Sequence, residues 1–261
     1  MTRLEAIEKI KLAEKEKEFD RNIDPIDYSI CEPVTDQFPY VKHGFLALKS
    51  WLIDKIFVSR VTRKVCKTYK PIYRGQDNFK GIDSAILISN HVYMFDSLIN
   101  RKGIKGHKVN TVAAWYNNRS DKMGSLMRAA NMMPLSKDMS ALINFNKAVK
   151  YKLNHKEFIS FYPEQEMWWM YEKPRPFKNG AFHYATKNKK PLIPIFITFK
   201  DQNKKDSEGI TIKQFFVNYL KPIYPKESLN NKENIEYLKV EAKKQWVKCY
   251  EDFYNKKLTF E

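Results

Sequence analysis

Asn90-His91-Val92-Tyr93-Met94-Phe95-Asp96 sets a histidine and a carboxylate five residues apart, directly after the apolar run Ala85-Ile86-Leu87-Ile88-Ser89. The run reads as a buried strand, so His91 stands at a strand's carboxyl end, where α/β folds keep their chemistry. If the chain turns into a helix between the two residues, imidazole and carboxylate come within hydrogen-bond reach. Asp96 then fixes the tautomer and stabilises the imidazolium as His91 takes a proton from a hydroxyl. Positioned base catalysis of this kind accelerates a reaction by roughly 10²–10⁴. The pattern is short, and it also suits a satisfied histidine beside a helix N-cap aspartate.

Beyond Gly75 the pattern that must position these residues alternates between strand and helix. Strands are predicted over residues 84–90, 108–116, 132–136, 157–161, 192–199 and 209–217. Helices are predicted over 94–102, 120–131, 139–154, 177–188 and 231–254. The last carries Ile235, Leu238, Ala242, Trp246, Cys249 and Phe253 at helical spacing, which is docking surface rather than function. The expected fold is therefore α/β, a mixed sheet flanked by helices.

The first third of the chain reads differently. Residues 2–18 are mostly Lys, Glu and Arg around a thin stripe of Leu4, Ile7, Ile10 and Leu12, which suits a partner or surface helix but better a merely solvated one. Asp24-Pro25, Glu32-Pro33 and Phe38-Pro39 punctuate a connector. From Tyr40 to Val65 a second helical stretch carries Phe45, Leu46, Leu48, Trp51, Leu52, Ile53, Ile56, Phe57 and Val58, followed by Arg60, Arg63, Lys64, Lys67 and Lys70. Spanning a bilayer takes about 20 mostly apolar residues, and charges interrupt this stretch every few positions. It suits a helix lying at the headgroup level, and it equally suits a core helix packed on the rest of the chain. The division expected is a helical, membrane-surface segment over 1–75 and an α/β catalytic domain with its closing helix over 76–261.

Forty-seven Lys and Arg against thirty Asp and Glu leave a net charge of +17, which implies an anionic partner. Nucleic acid is not expected, since neither zinc-ligand spacing nor an aromatic RNP pattern is present. Membrane phospholipid is. Cys31, Cys66 and Cys249 lie far apart with no CxxC pair, which fits a reducing compartment rather than a disulfide framework. The five histidines are scattered, so no metal centre is expected. No basic-then-apolar leader opens the sequence, and the expected place is cytoplasmic, peripheral on the inner membrane face.

Three further stretches follow His91 in order: Asn131-Met132-Met133-Pro134-Leu135-Ser136-Lys137, Phe161-Tyr162-Pro163-Glu164-Gln165-Glu166, and Pro191-Leu192-Ile193-Pro194-Ile195-Phe196. With Asn90 to Asp96 as NHxxxxD, the set resembles the four motifs of the glycerolipid acyltransferase family, matching residue for residue at His91, Asp96, Pro163, Glu164 and Pro194. Lys173-Pro174-Arg175-Pro176-Phe177-Lys178-Asn179-Gly180-Ala181-Phe182 is similar to that family's continuation into the next helix. The chain departs from the pattern at two places. Lys137 stands where the family has a phosphate-holding arginine, and a lysine lacks the planar fork. Gln165, Glu166 and Met167 replace Gly, Thr and Arg of the third motif.

The resemblance implies acyl transfer from acyl-CoA or acyl carrier protein, with no cofactor, to a lysophospholipid hydroxyl of the 1-acylglycerol-3-phosphate kind. His91 and Asp96 are then the catalytic pair, while Asn90, Lys137, Pro163, Glu164, Arg175 and Lys178 hold the acceptor. With no GxSxG elbow present, direct attack without an acyl-enzyme is expected. Backbone amides in the turn after His91 are candidate donors to the oxyanion. Trp168, Trp169 and Tyr171 suit an acyl groove, the membrane interface or the core. Two alternatives stay open: a glycolipid acceptor, suggested by the missing arginines, and a non-catalytic lipid or membrane-surface binder, suggested by the altered third motif.

Overall fold

Ile86, Leu87 and Ile88 are apolar on both faces of one strand, which demands cover above and below. The computed structural model, which describes residues 1–260, supplies it. The strands are β1 (Ile72–Arg74), β2 (Ile86–Ser89), β3 (Val109–Ala113), β4 (Met132–Pro134), β5 (Phe158–Phe161), β6 (Leu192–Lys205) and β7 (Thr211–Tyr219). They form one sheet in the order β1-β7-β6-β2-β5-β3-β4, parallel throughout except for the β6–β7 hairpin. The expected mixed sheet flanked by helices is the observed one.

Because side chains alternate along a strand, Ile86 and Ile88 face α6 (Met139–Asn154), α7 (Gly180–Lys187) and α8 (Asn231–Tyr254), where Phe145, Phe182 and Trp246 are fully buried. Leu87 faces the opposite layer with Val65, Tyr69 and Ile99. Those residues belong to α3 (Ser59–Tyr69) and α4 (Asp96–Gly103). Truncating a side chain as enclosed as Leu87 costs about 2–5 kcal/mol.

The register decides where chemistry can sit. Ile88 pairs with Phe161 on one side and with Pro194 on the other. Residues 89–91 therefore leave the sheet beside residues 162–164, at the carboxyl ends of adjacent parallel strands.

The predicted elements are found with three differences. β1 was not expected; its three residues form the edge beyond β7, and the turn after it is held by Gly75, whose φ of +75° leaves no room for a Cβ against the Tyr219 carbonyl. β6 runs six residues past Phe199, because its polar half pairs across the hairpin in the open. The N-terminal helix, α1 (Arg3–Lys15), is docked rather than solvated: Ala6, Ile10 and Ala13 are buried with Ile23 on Trp168, while Leu4 and Leu12 remain exposed. Its working face is set by small residues that let the helix approach an indole, so the leucines mislead.

Residues 44–69 make one continuous helical rod, α2 (Gly44–Ile53), a π-turn over Asp54–Val58, and α3. No residue of α2 is buried, and Phe45, Leu48, Trp51 and Phe57 are more than half exposed. Among the described residues no helix is long and apolar enough to cross a membrane. The three cysteines are free thiols.

Candidate active site

The turn from β2 into α4 brings His91 Nδ1 to 2.9 Å from Asp96 Oδ2. The same oxygen accepts the backbone N–H groups of Val92 (3.1 Å) and Tyr93 (3.3 Å), and Oδ1 accepts the Tyr162 hydroxyl at 2.5 Å. Asp96 opens α4, where the helix dipole favours an anion. Its side chain is only 1% exposed against 23% for His91. A carboxylate can only accept, so Nδ1 carries the proton and Nε2 is left as the basic nitrogen. The arrangement is a polarised imidazole, able to take a proton from a hydroxyl.

The loop that carries the histidine is fixed from below. Trp168 N donates to the His91 carbonyl (3.0 Å) and Met170 N to that of Val92 (2.8 Å), so the chain after the third motif lies along the histidine loop. Glu164 Oε2 accepts the His91 N–H (3.3 Å) and the Arg175 guanidinium (3.0 Å), and Oε1 accepts Arg175 N (2.7 Å). Arg175 also donates to the carbonyls of Phe19 (2.9 Å) and Glu166 (2.5 Å) and lies 4.5 Å over the Trp168 ring.

The site residues expected from sequence therefore fall into two groups. His91, Asp96, Pro163 and Lys178 line one cavity of about 660 Å³. Asn90, Lys137, Glu164 and Arg175 do not. Asn90 is buried and satisfies both backbone groups of Ile197 (2.8 and 3.0 Å), replacing a ladder partner where β2 ends. Glu164 and Arg175 are 1% exposed and spent on each other, because a buried charge is tolerated only when paired and hydrogen-bonded. Lys137 stands exposed outside the cavity with Nζ 4.7 Å over Trp115. Lys178 pairs with Asp20 at 2.6 Å. Trp168 and Trp169 also lie off the cavity; Trp168 is enclosed against α1, with its indole N–H on the Arg21 carbonyl (3.0 Å). Of the amides near the turn after His91, those of His91, Val92 and Tyr93 donate to Glu164 and Asp96.

Sequence reasoning missed Tyr162, which stacks on the His91 ring with centroids 4.0 Å apart. Its place directly before Pro163 at the end of β5 was the available signal. Also missed was the strap Asn22–Asp27, which contributes Asn22, Asp24, Pro25, Ile26 and Asp27 to the cavity wall. Nothing in its composition announced that. The far wall is apolar, with Val58, Val61, Leu98, Leu126, Met127 and Met132 from the helical rod, α4, α5 (Lys122–Ala129) and β4. Gln165 at the cavity has φ +68°, left-handed, where the related motif has the glycine that adopts it freely. For a side-chain residue that conformation costs about 1 kcal/mol.

Residues 70–198, which hold β1 to β5, the His91–Asp96 pair and the first half of β6, match the acyltransferase family model. This part of the chain is an acyltransferase domain, and the protein is an enzyme that transfers acyl groups. Its fold is that of the 1-acyl-sn-glycerophosphate acyltransferase PlsC from Thermotoga maritima: the two structures superpose with a TM-score of 0.53 over 85% of this chain and 92% of that one, at 18% sequence identity. No curated protein sequence matches the chain.

Proposed function

We propose that the protein moves a fatty acyl group from the thioester of acyl-CoA or acyl carrier protein to a free hydroxyl of a lysophospholipid-type acceptor. The observation that carries this reading is the His91–Asp96 pair opening on a cavity whose far wall is apolar. The acceptor hydroxyl gives its proton to His91 Nε2 as its oxygen bonds to the thioester carbonyl carbon. The C–S bond then breaks, and the departing thiolate takes the proton back from the imidazolium. One ester forms, one thioester is consumed, and His91 ends neutral. The apolar wall is suited to the acyl chain.

Within residues 1–75, α2 and α3 act in the same reading as the membrane-docking part, on the inner leaflet. The exposed apolar side chains of α2 would enter the interface, with Arg60, Arg63, Lys64 and Lys67 of α3 exposed behind them. Each cation near an anionic surface contributes about 1 kcal/mol.

Thiol release from acyl-CoA and from acyl carrier protein, measured with lysolipid acceptors on wild type and His91→Ala, tests the proposal. Acceptor-dependent release that falls roughly 10²–10⁴-fold in a variant of unchanged melting temperature is the expected result. Vesicle binding without release from either donor would make the protein a non-catalytic lipid binder instead.

A further inference from the structure

Among the described residues, each Lys or Arg that lines this cavity is already paired with a carboxylate. Arg119 is clasped by both oxygens of Asp121 (3.2 and 2.5 Å), and Lys178 is held by Asp20. Arg175 is sealed beneath the site on Glu164, and Lys137 stands outside on Trp115. Met167, a thioether, lines the wall at the position where the related motif places an arginine.

Two carboxylates of the wall, by contrast, hold no cation. Asp24, on the strap, makes no hydrogen bond or ion pair among the described residues. The Glu166 carboxylate accepts only the Tyr116 hydroxyl, 3.3 Å from each oxygen. Burial raises the pKa of both carboxyls above the usual range, opposed at Asp24 by the charges of His91, Lys9 and the N-terminus and at Glu166 by the Tyr116 hydrogen bond and the charges of His91 and Arg175. The remaining acidic wall residue besides Asp96, Asp27, is spent on the backbone and hydroxyl of Ser29. A phosphate monoester entering here would meet two carboxylates that belong to no ion pair and two cations, Arg119 and Lys178, already engaged by Asp121 and Asp20, which opposes binding. An ammonium would find both carboxylates open.

Resting on the acyl-transfer reading above, we propose that the acceptor carries a cationic, ammonium-bearing headgroup and not a phosphate monoester. Asp24 and Glu166 receive the ammonium while the accepting hydroxyl meets His91 Nε2.

Three acceptors with the same oleoyl chain and a free hydroxyl test this with the full-length protein: lysophosphatidate, monooleoylglycerol, and the monooleoyl ester of 3-dimethylamino-1,2-propanediol, whose tertiary amine is cationic and cannot itself be acylated. Neutral detergent micelles in excess keep the acceptor's own surface charge from steering the +17 chain. The expected kcat/KM for the ammonium acceptor exceeds that for lysophosphatidate by about tenfold or more, the lower range for a charge-assisted hydrogen bond. Glu166→Gln and Asp24→Asn each shrink that ratio, which is taken within one preparation and so cancels any difference in folded fraction. Preference for lysophosphatidate, or a ratio unmoved by both substitutions, overturns the inference and leaves acyl transfer standing. Absence of transfer to all three acceptors, with acyl-CoA and with acyl carrier protein, overturns both.

Discussion

Tyr162 lies flat on His91, with ring planes 17° apart, while its hydroxyl donates to the far oxygen of Asp96. One side chain thus braces both members of the pair, the ring by contact and the carboxylate by a hydrogen bond. Burial, reinforced by the Asp96 charge, pushes the phenol far above its ordinary pKa, so it stays a donor across the neutral range.

Tyr162→Phe keeps the stacked ring and removes only that donor. Asp96 retains three donors, so the fold survives, but the carboxylate is less firmly oriented. We expect kcat to fall about tenfold with KM for the acceptor unchanged, in line with one charge-assisted hydrogen bond. Steady-state kinetics decide it; a change confined to KM would show that Tyr162 serves binding instead.

Glu164→Gln separates a structural lock from a headgroup ligand. It leaves the Arg175 guanidinium enclosed without its counter-charge, which costs about 3–5 kcal/mol. Denaturant unfolding should show that loss directly. Full stability together with a raised acceptor KM would return Glu164 to the role its motif suggests.

Lys243 gives the fold a measurable pH dependence. Burial lowers its pKa from 10.5 to about 8, and Nζ donates to the carbonyls of Pro174 (2.7 Å) and Arg175 (3.0 Å). Between these pH values the unfolded chain holds a proton that the folded chain has released. Stability therefore rises with pH through that window, by about 3 kcal/mol in all. Lys42, also lowered to about 8 by burial, adds a similar slope. Lys243→Met should remove about half of the combined rise between pH 8 and 10, measured by unfolding at a series of pH values.

Much of the frame was legible because local chemistry and global position agreed. Asp138 and Asn230 cap their helices through Ala141 N and Glu233 N, and the predicted bounds of α6 and α8 are the observed ones. β2 declared itself by an apolar run with no polar face. His91 and Asp96 were legible since five residues and one turn bring them together. What the sequence hid was long-range. Arg175 looks like a free cation until the carbonyl of Phe19 and the carboxylate of Glu164 are placed on it. Lys137 sits at the expected strand end yet outside the cavity, a matter of where Trp115 offers a ring. β1 escaped because a three-residue, half-exposed edge has no period to read.

The strap that walls the cavity has a consequence for how the protein is made. Phe19, just ahead of the strap, is synthesised 156 positions before Arg175, the residue whose guanidinium bonds to its carbonyl and ties this stretch down. At translation rates of 5–20 residues per second that delay is roughly ten to thirty seconds. The histidine and its aspartate, by contrast, are synthesised within about a second of one another. A nascent chain therefore holds its histidine–aspartate pair well before it holds an enclosed cavity, which closes only when residues made earlier are fastened to residues made later.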